Sequence, residues 1–204
     1  MPSATRKVFF GDCVFCVSEN VYEPAEDSFL FAENLVVREG DVVLDLGTGC
    51  GILGVVAAEK AANIVAVDVS PYAVCCAKKN AKLNGVSDKM FFVQGDLFTA
   101  IRTGMRFDLV LFNAPYLPSE TFEVASWVGR AWSGGVVGRQ VIDRFICEVP
   151  KFLKLDGCAF LMQSTLSNVD ETLRKFGENG LKASVVAEQA LPFFETIVLV
   201  KAER

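Results

Sequence analysis

The sequence predicts an α/β fold in which helices cover both faces of a mostly parallel sheet. Three observations point to it. Short apolar runs alternate with stretches of helical periodicity, the pattern of strand–helix–strand units. A glycine-rich turn, Asp45-Leu46-Gly47-Thr48-Gly49-Cys50-Gly51, follows one apolar run and opens a helical stretch. Two apolar runs in succession close the chain, which predicts a terminal hairpin and so one antiparallel strand.

The elements follow in order. Residues 21–28 lead into a helix running to about Val37. Pro24 is placed to open that helix, and Glu26 and Asp27 suit its positive N-terminal end. Asp41 to Leu46 reads as a buried strand, Ile52 to Ala61 as a helix and Asn63 to Asp68 as a strand. Pro71 to Asn84 is helical, with Ser70 as N-cap and Pro71 in the first turn. Lys89 to Gln94 and Asp108 to Phe112 are strands. Gly138 to Leu153 is mostly helical, with Pro150 disturbing its last turn. A strand at Cys158 to Gln163, a helical stretch at Val169 to Asn179, and strands at Lys182 to Ala187 and Thr196 to Lys201 complete the series.

The 204 residues favour one domain, an extension and helix over residues 1–37 followed by a core over 38–204. With 51% apolar and 22% charged residues, the composition is globular. No apolar run approaches the roughly 20 residues of a membrane span; Val8 to Val17 is short and interrupted by Gly11 and Asp12. The start of the chain lacks the layout of a signal peptide. Seven cysteines with no paired spacing fit a reducing compartment, the cytoplasm or also the nucleus. Cys13 and Cys16 form a lone C-x-x-C. With no histidine and no second such pair, two buried strand thiols are expected rather than a metal site, and Cys75 and Cys76 are expected to pack in a helix. A net charge of −5 lacks the basic footprint of a nucleic-acid binder. The absence of histidine removes Ser-His-Asp hydrolysis, Cys-His nucleophiles and H-E-x-x-H metalloproteases. Positioning and a reactive cofactor remain.

The glycine turn lets backbone approach a ligand through Gly47, Gly49 and Gly51. Asp45, just before the turn, would repel a pyrophosphate but suits an ammonium and a sulfonium, which favours S-adenosylmethionine over a nicotinamide dinucleotide. The alternative is an acid that merely caps the turn. Asp68 ends the second strand, where a ribose-hydroxyl acceptor is expected. Asp96, followed by Leu97, ends the third, where an acid can accept from the adenine amino group. Either acid alone could be a loop residue; three acids at successive strand ends line one crevice.

The fourth strand ends in Asn113-Ala114-Pro115-Tyr116. One reading is an Asx turn before a proline. The other places Asn113 beside the cofactor's methyl group, where its side-chain oxygen and the Ala114 carbonyl hold the two N–H groups of a planar amide. Pro115 biases Ala114 toward an extended conformation, and Tyr116 walls the planar group. No strong base is needed; alignment supplies the rate.

Four segments carry a resemblance: VYEPAEDSFL (Val21 to Leu30), DLGTGCG (Asp45 to Gly51), NAPYLP (Asn113 to Pro118) and AWSGGVVGRQVIDRF (Ala131 to Phe145). Together they resemble the HemK-type protein-glutamine methyltransferases, and within them the subgroup acting on the eukaryotic class 1 translation termination factor. The resemblance implies a Rossmann-like class I methyltransferase fold with a seven-stranded sheet in the order 3-2-1-4-5-7-6. It implies methylation of the glutamine side chain in a Gly-Gly-Gln loop. Asn113, Ala114 and Tyr116 would hold that amide, Glu26, Asp27 and Ser28 would lie at the cofactor's methionine end, and Trp132, Gly134 and Gly135 would shape the substrate side. Alternatives left by the residues are an adenine-amine methyltransferase, which shares the Asn-x-Pro-Tyr turn, and a cofactor-binding pseudoenzyme. The family motif usually reads Asn-Pro-Pro-Tyr, so Ala114 predicts a looser turn with function kept.

The implied strand order leaves Lys89 to Gln94 on a sheet edge. Three large apolar residues there, a positive mean hydropathy and 17 phenylalanines predict strand addition by another protein. The resemblance implies a small zinc-binding methyltransferase activator. A loop or the N-terminal segment covering the edge is the alternative.

Overall fold

The computed structural model describes residues 5–119 and 126–204. Strands β1 (Thr5–Phe10) and β2 (Cys13–Ser18) form an antiparallel hairpin, and Gly11, at φ 53, makes its turn. The interruption of the apolar run at Val8 to Val17 is therefore a strand reversal. Cys13 and Cys16 lie on β2 and are half-buried rather than buried.

Helix α1 (Glu26–Glu33) follows and stops short of Val37. Asn34 ends it: its side-chain nitrogen donates to the Leu30 carbonyl at 2.9 Å, and its own N–H bonds back to Leu30 and Phe31. Helix α2 (Ile52–Ala57) also ends before its expected limit at Ala61, in a turn tightened by bonds from Glu59 to Val56 and from Lys60 to Ala57. Helix α3 (Pro71–Leu83) is capped as expected, with Ser70 Oγ accepting from the Ala73 N–H. Helices α4 (Trp127–Trp132), α5 (Gln140–Glu148) and α6 (Val169–Glu178) complete the set. The sequence does not predict α4. The stretch predicted from Gly138 to Leu153 divides into α5 and a 3-10 turn at Val149–Lys151, with the break at Pro150.

Seven strands form the main sheet: β3 (Val42–Leu46), β4 (Asn63–Asp68), β5 (Met90–Gln94), β6 (Phe107–Asn113), β7 (Leu153–Ser164), β8 (Lys182–Ala190) and β9 (Thr196–Glu203). Their order is β5-β4-β3-β6-β7-β9-β8, and β9 alone runs antiparallel to its neighbours. Alternate residues enter opposite cores because side chains alternate along a strand. Val43, Leu109 and Leu111 join Phe15, Phe31 and α2 on one face; Leu44, Val110 and Phe112 join Phe145 and Phe176 on the other. Burial on both faces is why these strands read as continuous apolar runs.

The hairpin does not extend the sheet. Asn80 on α3 and Asn84, four residues on at its C-cap, act on β2 as a neighbouring strand would. Asn84 accepts from Val14 N–H and donates to its carbonyl, both at 2.9 Å; Asn80 accepts from Cys16 N–H at 2.9 Å and donates to its carbonyl at 3.2 Å. The N-terminal segment thus packs on a helix.

The two sheet edges differ. β8 carries Lys182 and Glu188 and a register irregularity between Val185 and Ala187, features that discourage pairing. β5 is regular in register, and Phe91 is 55% exposed on it.

Candidate active site

A cleft of about 870 Å³ opens at the carboxyl ends of β3 to β6, where open parallel sheets bind ligands. Its walls come from the segment ahead of α1 (Asn20 to Pro24), the glycine turn, the ends of β4 and β6, and the chain from Trp127 to Arg144.

The glycine turn is left-handed at Gly47, Gly49 and Gly51, with φ of 62, 57 and 89. A Cβ on Gly51 would sit 3.1 Å from Ala77, so glycine is needed there for backbone shape and helix contact alike. Asp68 braces the turn: Oδ2 accepts from the Gly49 N–H at 2.9 Å and Oδ1 from the Ser70 N–H at 2.8 Å. A carboxylate has about four acceptor positions, so both oxygens keep room for a diol. Burial pushes the Asp68 carboxyl up, opposed by these backbone bonds. Asp96 lies at the far end of the cleft with Leu97, which adopts φ 48. Asp96 Oδ2 pairs with Arg144 at 2.8 Å.

Asp45 departs from expectation. It does not line the cleft; it lies beneath the turn at 1% exposure, where Oδ2 accepts from Thr48 Oγ1 at 2.6 Å and from the Gly54 N–H at 3.2 Å. Oδ1 has no partner among the described residues. Burial pushes its carboxyl up from the ordinary 3.8 to about 7, against the lowering effect of Thr48 and Gly54. The folded chain therefore holds a proton at Asp45 over a range where the unfolded chain has released it. That contribution to stability is complete below pH 3.8, declines as the pH rises through about 7, and is level above. Thermal melts from pH 4 to 8 are expected to show this decline, and Asp45→Asn to lessen it, leaving the part of the same sign that the raised Asp68 carboxyl contributes. An unchanged pH profile in the variant would place the titration elsewhere.

Asn113, the last residue of β6, is the centre of the cleft wall. Its Nδ2 donates to Asp27 Oδ2 at 3.1 Å and to Ser28 Oγ at 3.2 Å. A carboxylate only accepts, so Asp27 fixes which end of the Asn113 amide faces it. The other end, Oδ1, is buried with no hydrogen-bond partner among the described residues. Asp27 also accepts from the hydroxyls of Tyr22 at 3.2 Å and Tyr116 at 3.4 Å. Burial first, then the Asp27 charge, pushes both phenols well above the ordinary tyrosine range, so both stay protonated as donors. The Asx turn read for Asn113 is thus not its bonding: the side chain reaches across to α1. Among the described residues, no group donates a hydrogen bond to the Ala114 carbonyl. Ala114 is itself buried at 3%, and packing restrains a turn expected to be looser for want of proline.

Of the residues that the resemblance singled out beside the strand ends, Asp27, Ser28, Trp132 and Gly135 line the cleft, and Glu26 and Gly134 do not. Glu26 opens α1 outside the wall, and Gly134 instead packs on the backbone of Gly138, 2.7 Å from where its Cβ would be. Tyr22, Trp127 and Arg130 are wall residues that the sequence does not single out. Arg130 lies over the Trp127 ring at 4.9 Å.

The family model for ribosomal protein L11 methyltransferase (PrmA) matches residues 27–114, from α1 to the acceptor turn. A chain of Methanocaldococcus jannaschii assigned as a protein N5-glutamine methyltransferase is 45% identical over 181 residues, 88% of this chain and 90% of its own. The chain belongs to the HemK-type protein glutamine methyltransferases. The human methyltransferase HEMK2 is 31% identical across 81% of each chain. Among solved structures, the E. cuniculi Mtq2–Trm112 complex, described as responsible for methylating the eRF1 translation termination factor, superposes with a TM-score of 0.68. The identity is 26%, over 91% of this chain and 99% of that one. As a member of this methyltransferase family, the chain is an S-adenosylmethionine-dependent enzyme with a Rossmann-like class I fold.

Proposed function

We propose that this methyltransferase acts on the side-chain amide of the glutamine in the Gly-Gly-Gln motif of a class 1 translation termination factor. The observation that carries the reading is the Asn113 Oδ1 atom, buried in the cleft wall and unpartnered among the described residues while its own Nδ2 is bonded to Asp27 and Ser28. An unsatisfied buried acceptor costs about 1–3 kcal/mol. An N–H of the substrate amide relieves that cost.

The residues fit the cofactor: the left-handed glycine turn leaves its backbone open to close approach, the Asp68 oxygens retain acceptor capacity for the ribose, and Asp96 and Leu97 close the adenine end. S-adenosylmethionine supplies the methyl group on a positively charged sulfur. Asn113 Oδ1 accepts one amide N–H and the Ala114 carbonyl the other, which turns the nitrogen's face toward the cofactor. Tyr116 and Pro115 wall the amide plane. The surplus proton leaves the nitrogen to water, since the chain offers no histidine and the two cleft tyrosines, Tyr22 and Tyr116, are held protonated. The rate comes from alignment in a preorganised pocket.

The proposal extends to a partner. The uncovered, regular β5 edge is the place for strand addition by a small zinc-binding activator, the reading supported by the Mtq2–Trm112 neighbour. Phe91→Arg is expected to weaken that pairing and, with it, activity.

The deciding experiment is mass spectrometry of the termination factor after incubation with the chain, the activator and S-adenosylmethionine. One methyl group on the motif glutamine is expected, and none on a factor carrying alanine there. Methylation persisting in that variant, or an unmethylated glutamine after prolonged incubation, overturns the assignment. Full activity of the chain without the activator overturns the partner alone.

A further inference from the structure

We infer that Arg139, which lines no part of the cleft, is a positioning residue for the acceptor turn; its catalytic consequence rests on the acceptor role proposed for Asn113 and Ala114. The backbone after that turn belongs to no sheet. It is held by the chain from Trp132 to Gly138: Leu117 N–H donates to the Trp132 carbonyl at 3.0 Å, Gly134 N–H to the Leu117 carbonyl at 2.8 Å, and Ser119 N–H to the Gly135 carbonyl at 3.1 Å. Gly138 packs so closely that a Cβ there would lie 2.3 Å from the Tyr116 carbonyl oxygen. This supporting loop therefore sets where Ala114 to Tyr116 sit.

Arg139 fastens the loop's end. The residue is 7% exposed. Nη1 donates to the carbonyls of Ser167 and Asn168, the latter at 2.7 Å, and to Thr172 Oγ1 at 3.0 Å; Nη2 pairs with Asp143 at 2.7 Å. Three of the acceptors belong to the junction between β7 and α6 and the first turn of α6, where Asn168 adopts φ 59, and Asp143 lies on α5. Thr172 in turn donates to the fully buried Gln163 of β7 at 2.6 Å. A buried guanidinium is costly, and Nε is left without a partner among the described residues. An apolar side chain could fill the space. What it could not do is orient four acceptors on two elements, which a planar fork does. The loop is thereby tied to the sheet, and the acceptor turn to the loop. An ångström of drift at such a turn lowers a rate about 10²-fold.

Arg139→Met and Arg139→Lys separate this role from bulk stability, since the lysine keeps charge but not the fork. Each variant is compared with the parent chain, all bound to the activator, in three measurements. The first is cofactor affinity and stoichiometry by calorimetry, expected to be unchanged within about twofold and to count the folded molecules. The second is kcat per bound cofactor with the termination factor, expected to fall at least tenfold. The third is amide hydrogen exchange, expected to quicken at Leu117, Gly134 and Ser119 and to stay slow in β3 and β4. Normal kcat per bound cofactor, or unchanged exchange at those three amides, overturns the inference. Should the parent chain itself fail to methylate the factor, the substrate reading falls, and exchange alone decides the role of Arg139.

Discussion

Asn113→Ala is expected to lower kcat by about 10²–10³-fold, the loss seen when one preorganised polar contact is removed from a reacting centre. Cofactor affinity is expected to stay within about twofold. On the proposed function the cleft divides its labour: Asp68, Asp96 and the glycine turn serve the cofactor, and Asn113 Oδ1, which lies in the same wall, receives the substrate amide. Single-turnover transfer and calorimetric cofactor titration test the two halves separately. Loss of both together would make Asn113 a structural residue, and retention of both would remove it from the chemistry. Asn113→Asp is no conservative replacement, because it sets a second carboxylate about 3.1 Å from Asp27 Oδ2.

Asp27→Asn is expected to cost about 10- to 100-fold in kcat although it changes one atom. As a carboxylate, Asp27 takes Tyr22, the Ser28 N–H and Ser28 Oγ on Oδ1, and Asn113 and Tyr116 on Oδ2. An amide offers one acceptor and brings an NH2 donor of its own. Either the tyrosines or Asn113 must lose a partner, and the Asn113 amide is then free to turn its nitrogen into the cleft. Steady-state kinetics on Asp27→Asn with the termination factor measure this. A variant retaining full kcat would show that the Asn113 rotamer is held by its surroundings without Asp27.

Much of the frame is legible along the chain because it is local. Strand β4 runs from Asn63 to Asp68 as read, Ser70 caps α3, and the glycine turn joins β3 to α2. The site's decisive contacts are not local. Asp27 and Asn113 lie 86 positions apart, and Val14 and Asn84 lie 70 apart. Strand-end acids announce a crevice, yet only the packed chain shows that Asp45 has turned under the turn toward Thr48 and Gly54 while Asp68 and Asp96 remain on the wall. Gly134 and Gly135 look alike in sequence; backbone crowding against Gly138 separates them. Asn80 and Asn84 read as ordinary helix-surface amides until β2 is laid beside them.

The contrast between β5 and β8 bears on stoichiometry. A sheet open at both ends can grow in two directions. Here one flank is regular and the other is irregular and charged, so the chain itself offers a strand template on one side.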